Sequence, residues 1–366
     1  MGMYRDGDNL FGESIVAVDI ETGVRKWHYQ MIHHGLWDYD VPCAAILCDI
    51  PHEGRIIKAL CQPTKQSFLY VLDRTNGKPV WPIPEKPVPK GDVPGEWYSP
   101  TQPMPTKPPP VDRQGISEDD LIDFTPELRQ KAQEIARHYK LGPIYTAPIM
   151  AHKGGLLGVI NLPGYIGGVN WPGGSYDPDT YTVYTYSQTN PLTAGSIVPN
   201  LDHKRGQFDY IHASPPSDIP RAYYPSVEGL PIVKPPYGRI TATNLADGTQ
   251  TWQIAHGETP DEIRNHPALK GVKIPRTGMM GKIAPLATKA LVICGDPEMY
   301  TDETGRRGAR LRAYDKASGV EKGAVFMPGQ QSGSPMTYML NGKQYIVLAI
   351  SGRGAEAQFI AFRLPA

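Results

Sequence analysis

The chain of 366 residues is poor in the features that usually assign a protein quickly. It has no charge of one sign in excess, with Lys+Arg and Asp+Glu both at 37 and no basic run, so no nucleic-acid partner is expected. No apolar stretch reaches the roughly 18 residues of a membrane-spanning helix. The opening "MGMYRDGDNLFGES" lacks the basic and apolar segments of a signal peptide. Only four cysteines occur, at 43, 48, 61 and 294, and none forms C-x-x-C, which excludes a zinc knuckle and a thioredoxin-type motif. Cys43 and Cys48 alternate with apolar neighbours and read as buried free thiols, with a disulfide as the alternative. No G-x-G-x-x-G follows a strand, and no Ser or Cys stands in a nucleophile elbow, so neither a nicotinamide enzyme nor a hydrolase has support.

Helical periodicity is almost absent as well, which argues against a βαβ architecture. What is abundant is turn chemistry: 38 Gly and 38 Pro. Between the turns lie short runs the length of one strand, β-branched or aromatic-rich: "SIVAVDI" (14–20), "AAILCDI" (44–50), "RIIKAL" (55–60), "SFLYVLD" (67–73), "GLLGVIN" (155–161), "YTVYTYS" (181–187), "GRITATNL" (238–245), "ALVICGD" (290–296), "ARLRAYD" (309–315), "KQYIVLAI" (343–350) and "FIAFRL" (359–364). The pattern is that of an all-β fold.

Two stretches interrupt it. Residues 81–145 form a Pro-rich excursion, whose tract 81–110 cannot be a central strand because proline donates no ladder hydrogen bond. Inside it the spacing predicts one inserted helix at about 125–140, with Thr125 as N-cap, Pro126 in the first turn, an apolar stripe of Leu128, Ala132, Ile135, Ala136 and Tyr139, and Gly142 to end it. A second polar, Pro-rich insertion occupies 189–237. Residues 1–366 otherwise read as one domain.

The strands carry a repeat of eleven residues. "AVDIETGVRKW" (17–27), "VLDRTNGKPVW" (71–81), "ATNLADGTQTW" (242–252) and "AYDKASGVEKG" (313–323) share a strand ending in Asp or Asn, a Gly turn and, in three of the four, a Trp on the returning strand. A Trp recurring at one place would pack between neighbouring sheets. Four such hairpins in one chain point to radial repetition, a β-propeller.

This repeat resembles the tryptophan docking motif of quinoprotein dehydrogenases, which use pyrroloquinoline quinone (PQQ) on an eight-bladed propeller. The stretches "SIVAVDIETGVRKWHYQMIHHGLWDYDVPC", "CQPTKQSFLYVLDRTNGKPVWPIPEKPVP", "LIDFTPELR", "IYTAPIM", "GGVNWPGGSYDP" and "GSPMTYMLNGKQYIVLAISGRG" are similar to the membrane-type glucose dehydrogenase branch. The similarity runs along the chain in order and corresponds to the C-terminal half to two-thirds of a family member. It implies a partial eight-bladed propeller of about four to five blades.

The resemblance also implies a chemistry: oxidation of an alcohol, polyol or sugar by hydride transfer to PQQ, with electrons passed to ubiquinone or a cytochrome. Asp38 in "LWDYD" is then the base that takes the hydroxyl proton and a ligand of a divalent metal, calcium first, with magnesium or a lanthanide as alternatives. Asp40, two residues on, would join the metal shell if the loop is extended. Lys65 would lie on the quinone oxygens, where a cation stabilises developing negative charge. Asn170, Trp171 and Gln188 would line the cofactor face. His33, His34 and Trp37 would position the loop, and no metal-ligand spacing accompanies the histidines. Arg353 replaces a His of the glucose-type pattern, which puts glucose in doubt and would suit an anionic substrate, with a surface arginine as the equal alternative.

The same resemblance places a Glu and an Asn of the metal shell, a leader or anchor and further blades before residue 1, supplied by upstream sequence or a second chain. It sets the protein in the periplasm or on the periplasmic face of the inner membrane. A partial ring leaves sheet faces uncovered, so the chain alone is expected to be poorly stable or to oligomerise. The alternative is a non-catalytic propeller used as a scaffold, or an inactive truncated product; retention of Asp38 and Lys65 favours the enzyme.

Overall fold

The computed structural model describes residues 2, 4–152, 154–192, 196–201, 206–213, 225–352 and 354–363. Among the described residues, five antiparallel sheets follow one another along the chain as blades, and three further small sheets lie in the connections. The first pairs Ser14–Val18 with Arg25–Gln30. The second orders Ile46–His52, Arg55–Pro63 and Leu69–Asp73. The third orders Gly174–Asp177, Thr182–Gln188, Gly238–Asn244 and Thr249–Ala255. The fourth is built on Leu286–Ala287, Leu291–Gly295, Arg307–Asp315 and Glu321–Met327. The fifth orders Gln330–Leu340, Lys343–Ser351 and Gln358–Arg363.

The cores show that these sheets stack face to face in chain order. Cys48, Ile50 and Val71 of the second sheet meet Val183 of the third. Tyr184, Tyr186 and Ile240 of the third meet Val292, Cys294 and Tyr314 of the fourth. Ile293, Leu311 and Met327 of the fourth meet Leu348 and Ile350 of the fifth. The third and fourth sheets therefore bury both faces of their middle strands, as blades of a propeller do.

The eleven-residue repeat forms the link between blades. At each turn the Gly has φ near +70°, at 69° for Gly23, 74° for Gly77 and Gly248, and 72° for Gly319, a region closed to most side chains. The Asp before it holds the turn: Asp19 Oδ1 accepts from the Thr22 N–H at 3.0 Å, and Asp315 Oδ1 from the Ser318 N–H at 3.0 Å. The Trp then docks on the next blade. Trp27 Nε1 donates to the carbonyl of Arg74 at 3.0 Å, and a Cβ on Gly77 would lie 2.6 Å from its ring. Trp252 Nε1 donates to the carbonyl of Lys316 at 3.0 Å, and a Cβ on Gly319 would lie 2.8 Å from its ring. The turn glycines thus serve twice, for backbone conformation and for the close approach of an indole.

The insertions share a core of their own. The helix Pro126–Ala136 starts as its sequence requires, with Thr125 Oγ1 accepting from the Leu128 N–H at 3.2 Å. It ends earlier than the periodicity predicts. His138 and Tyr139 tighten into turns on Ile135 and Ala136, and Lys140 turns away to bond the Gly158 carbonyl, so Gly142 is not the terminator. Leu128, Ala132, Ala136 and Tyr139 pack on Leu157, Ile160, Val227, Leu230 and Val233, joining the two insertions. "GLLGVIN" is therefore not a strand: its Leu157 and Ile160 fill this core, with isolated bridges only at Val159 and Asn161. The long strand Gln330–Leu340 is absent from the sequence reading because Gly333, Ser334 and Pro335 interrupt it, and its register shifts between Ser332 and Met336.

All four cysteines are free. Among the described residues no helix is long and apolar enough to cross a membrane. The first and fifth sheets carry exposed apolar side chains, among them Val18 at 56% and Phe359 at 79%.

Candidate active site

In a ring of antiparallel blades, the crossing from one sheet to the next falls at the same end as the loop between a sheet's second and third strands. The Gly turns fall at the opposite end. Residues 31–45 cross from the first to the second sheet, and Lys65 lies between the second and third strands of the second sheet. Topology alone therefore brings "HHGLWDYDVP" and Lys65 to one end.

Lys65 is seated by the turn Thr64–Phe68, where the Ser67 N–H donates to the Thr64 carbonyl at 2.9 Å. Its stem lies against Gly167, where a Cβ would stand 2.4 Å from Lys65 Cγ, and the Gly168 N–H donates to the Lys65 carbonyl at 2.9 Å. Gln188, only 3% exposed, donates Nε2–H to the Gly167 carbonyl at 3.2 Å. That side chain holds the Gly167–Gly168 loop under the lysine.

The ammonium reaches the acidic loop. Lys65 Nζ donates to the Asp38 carbonyl at 2.9 Å, hydrogen-bonds the Asp40 carboxylate, and stands 3.6 Å from Asp38 Oδ2. Its side chain is 9% exposed, whereas those of Asp38 and Asp40 are 65% and 53% exposed. A buried cation thus anchors two carboxylates that open outward. Asp38 has φ of 57°, a left-handed turn that Asp tolerates. Burial pushes the Asp38 carboxyl above its ordinary range, the charge of Asp40 adds to this, and the Lys65 ammonium opposes it.

A third acid, Glu13, escaped the sequence reading. A Cβ on Gly35 would lie 2.0 Å from its Oε1, and burial raises its pKa, with Asp40 and Asp38 contributing in the same direction. Nothing in "FGESIV" marks it, since its nearness depends on how residues 31–45 fold back.

The remaining predicted residues divide by position. Trp171 reaches inward: a Cβ on Gly333 of the fifth sheet's first strand would lie 2.8 Å from its ring, and Ser334 Oγ donates to the Pro172 carbonyl at 3.1 Å. Its indole is nevertheless 53% exposed. Asn170 closes its own loop, with Nδ2 donating to the Ile166 carbonyl at 2.6 Å and Oδ1 accepting from the Trp171 N–H at 2.7 Å. Trp37 is buried against Tyr39 and Tyr145, with Nε1 donating to the Thr146 carbonyl at 2.9 Å. The two histidines tie the loop to the Pro-rich tract: His33 Nε2 lies 3.0 Å from Glu85 Oε1, and His34 Nε2 lies 3.0 Å from the buried Glu96 Oε1. Arg353 lies outside the described residues.

For the expected metal, this chain's donor set is short. Among the described residues no group of three or more His, Cys, Asp or Glu could hold an ion, and the two candidate carboxylates already share Lys65. Asp38 and Asp40 supply at most part of a shell. The groups here that suit a flat anionic quinone are the Lys65 ammonium, by its charge, and the half-exposed Trp171 indole, by stacking.

Known proteins resemble this chain over most of its length. A family profile described as "PQQ: Glucose/ethanol/alcohol dehydrogenase, beta-propeller domain" matches residues 1–346. The quinate/shikimate dehydrogenase (quinone) of Acinetobacter baylyi is 30% identical over 94% of this chain and 42% of its own length. The quinoprotein glucose dehydrogenase of Escherichia coli is 29% identical over 97% of this chain and 44% of its own length. The crystal structure of quinohemoprotein alcohol dehydrogenase from Comamonas testosteroni superposes with a TM-score of 0.53 at 22% identity, covering 94% of this chain and 39% of that one. The chain thus spans less than half the length of each.

Proposed function

The chain belongs to the PQQ-dependent glucose/ethanol/alcohol dehydrogenase β-propeller family, and from that premise we propose that it oxidises the CH–OH group of an alcohol, polyol or sugar at Asp38 and Lys65. The observation that carries the reading is the pairing of a buried Lys65 ammonium with the outward carboxylates of Asp38 and Asp40. PQQ, when bound, supplies the two-electron acceptor. Asp38 takes the hydroxyl proton of the substrate, and its raised pKa makes it a stronger base than an ordinary carboxylate. Lys65 offers its charge to the quinone oxygens and keeps Asp38 in place through the backbone carbonyl. Trp171 presents the face on which a flat ring stacks, and Gln188 keeps the glycine loop under Lys65. Asp40 and Asp38 contribute to a divalent ion only together with donors beyond these two. The reading places the site on the periplasmic side of the inner membrane, with ubiquinone or a cytochrome as acceptor.

The test separates binding from turnover. PQQ binding is measured by equilibrium dialysis, and dye reduction is assayed with aldoses, polyols and simple alcohols in the presence of calcium. Lys65→Met weakens PQQ binding by about tenfold or more, whereas Asp38→Asn keeps binding and loses turnover. PQQ binding that is unchanged in Lys65→Met, or turnover that is unchanged in Asp38→Asn, overturns the assignment.

A further inference from the structure

The Pro-rich tract 81–110 leads back into the ring at Val111, which is fully buried in the core between the second and third sheets. The Val111 carbonyl accepts from Ser187 Oγ at 3.1 Å and from Gln253 Nε2 at 3.0 Å, both on the third sheet. Asp112 follows, with Oδ1 accepting from Thr189 Oγ1 at 2.8 Å and lying 3.2 Å from Arg239 Nη1. A buried ion pair and two side-chain donors thus fasten residues 111 and 112 to the third sheet.

Beside them lies the turn of the second sheet that seats Lys65. Thr64, Lys65, Gln66, Ser67 and Phe68 are all buried, so their carbonyls need donors within the protein. The Thr64 carbonyl is met inside the turn and the Lys65 carbonyl by the Gly168 N–H. The returning tract supplies the next two: the Ser67 carbonyl accepts from the Val111 N–H at 2.9 Å, and the Gln66 carbonyl from Gln114 Nε2 at 2.7 Å. Ser67 stands at φ 70°, a conformation costly for serine, so the turn keeps this shape only while such bonds hold it. The Gln66 side chain reaches the other half of the site. Its Nε2 donates to the Tyr145 hydroxyl at 3.4 Å, and the Tyr145 ring lies edge-on to Trp37 and Tyr39, which flank Asp38 in the chain.

We propose that Gln114 is a positioning residue for Lys65. Its amide, carried on a segment fixed to the third sheet, holds the Gln66 carbonyl of the second. It thereby sets where the ammonium stands against Asp38, Asp40 and the quinone oxygens. The last of these rests on the reading of Lys65 as a cofactor contact; the hold on the turn does not. Of the two bonds from the returning tract, the one from Gln114 is made by a side chain, so substitution can remove it alone.

Hydrogen exchange on the purified chain tests the hold without PQQ. In Gln114→Met, which keeps the length and has no N–H, residues 64–68 are expected to exchange about tenfold faster. The fourth-sheet strand Arg307–Asp315 keeps its rate. Gln114→Glu, with an acceptor where the donor stood, exchanges at least as fast at 64–68. Equilibrium dialysis reads the consequence: Gln114→Met weakens PQQ binding about tenfold and adds nothing once Lys65 is replaced by Met, because both changes act through one ammonium. The proposal is overturned by unchanged exchange at 64–68, by equal quickening of both stretches, or by PQQ losses that add in the double variant. It is equally overturned if Gln114→Met leaves PQQ binding intact while Lys65→Met weakens it. Faster exchange confined to 64–68, with PQQ binding unaffected by Lys65→Met, upholds the hold on the turn and overturns Lys65 as the cofactor contact.

Discussion

The indole of Trp252 lies against Gly319 of the next blade and hands its Nε1–H to the Lys316 carbonyl, 3.0 Å away. Trp27 makes the same contact with Gly77 and Arg74 one pair of blades earlier. One side chain therefore joins the turn of the second sheet, and another that of the fourth, to the sheet before it, and the link is open to direct measurement. Gly319→Ala meets both a φ of 72° and an indole 2.8 Å away. It is expected to cost about 1–3 kcal/mol in urea denaturation. Trp252→Phe, which removes the hydrogen bond, costs about 1 kcal/mol beyond its lost contact area. The double variant is less than additive, because both changes act on one contact.

Stability toward acid is expected to depend on His256. The ring is fully buried, within 2.8 Å of the Tyr314 hydroxyl and 3.0 Å of the Gly295 carbonyl, and burial, with Arg312 and Arg276 nearby, lowers its pKa from 6.5 to about 3. A base held neutral in the folded state is protonated only in the unfolded chain between those values. Stability is therefore full above pH 6.5 and falls as pH drops toward 3, by up to about 1.4 kcal/mol per pH unit. His256→Gln flattens that slope in urea titrations from pH 7 to 4; an unchanged slope would place the acid sensitivity elsewhere.

The Asp38 carboxyl is held above its ordinary range by burial and by Asp40. The acid limb of turnover in the PQQ-loaded protein is then expected above the 3.8 of a free Asp. Asp40→Asn removes the neighbouring charge and moves that limb to lower pH. A limb that stays in place in Asp40→Asn, in an otherwise active variant, means another group titrates.

The loop carrying Asp38 is fastened at its start by His34 and Glu96, whose side chains are 0% and 1% exposed. Burial alone would raise the Glu96 pKa, but hydrogen bonds from His34 and the Gly2 N–H outweigh it and lower it. Its contribution is present above the ordinary pKa of 4.5 and is lost as pH falls through the lower folded value. Glu96→Ala leaves a buried histidine without its partner and costs about 3 kcal/mol or more. Hydrogen exchange should show residues 31–40 opening before the blades do; exchange unchanged there would deny the fastening role.

The blades were legible in the amino-acid order because their signals are local. Asp19, Gly23 and Trp27 lie within one hairpin, so their spacing reports a turn and the position of an indole whatever surrounds them. The same holds for Thr125 and Pro126, which start a helix by capping backbone groups three residues away. Where an apolar run could serve two purposes, pattern failed. "GLLGVIN" has the length and apolar content of a strand, yet Leu157 and Ile160 go to a core formed with Val227 and Val233, some 70 residues on. The strand Gln330–Leu340 was hidden for the converse reason, since a register shift lets Gly and Pro sit in a ladder.

The sequence by itself determined the repeating sheet, its turns, the inserted helix and the loops that carry Asp38 and Lys65, because each rests on neighbours within a few residues. Only the tertiary structure decided which charges meet. It seated Lys65 beneath Asp38 and Asp40, brought Glu13 beside them, and spent the Asn170 amide on its own loop. Those encounters depend on how blades and insertions stack across long separations, and burial then decides what each charge can do.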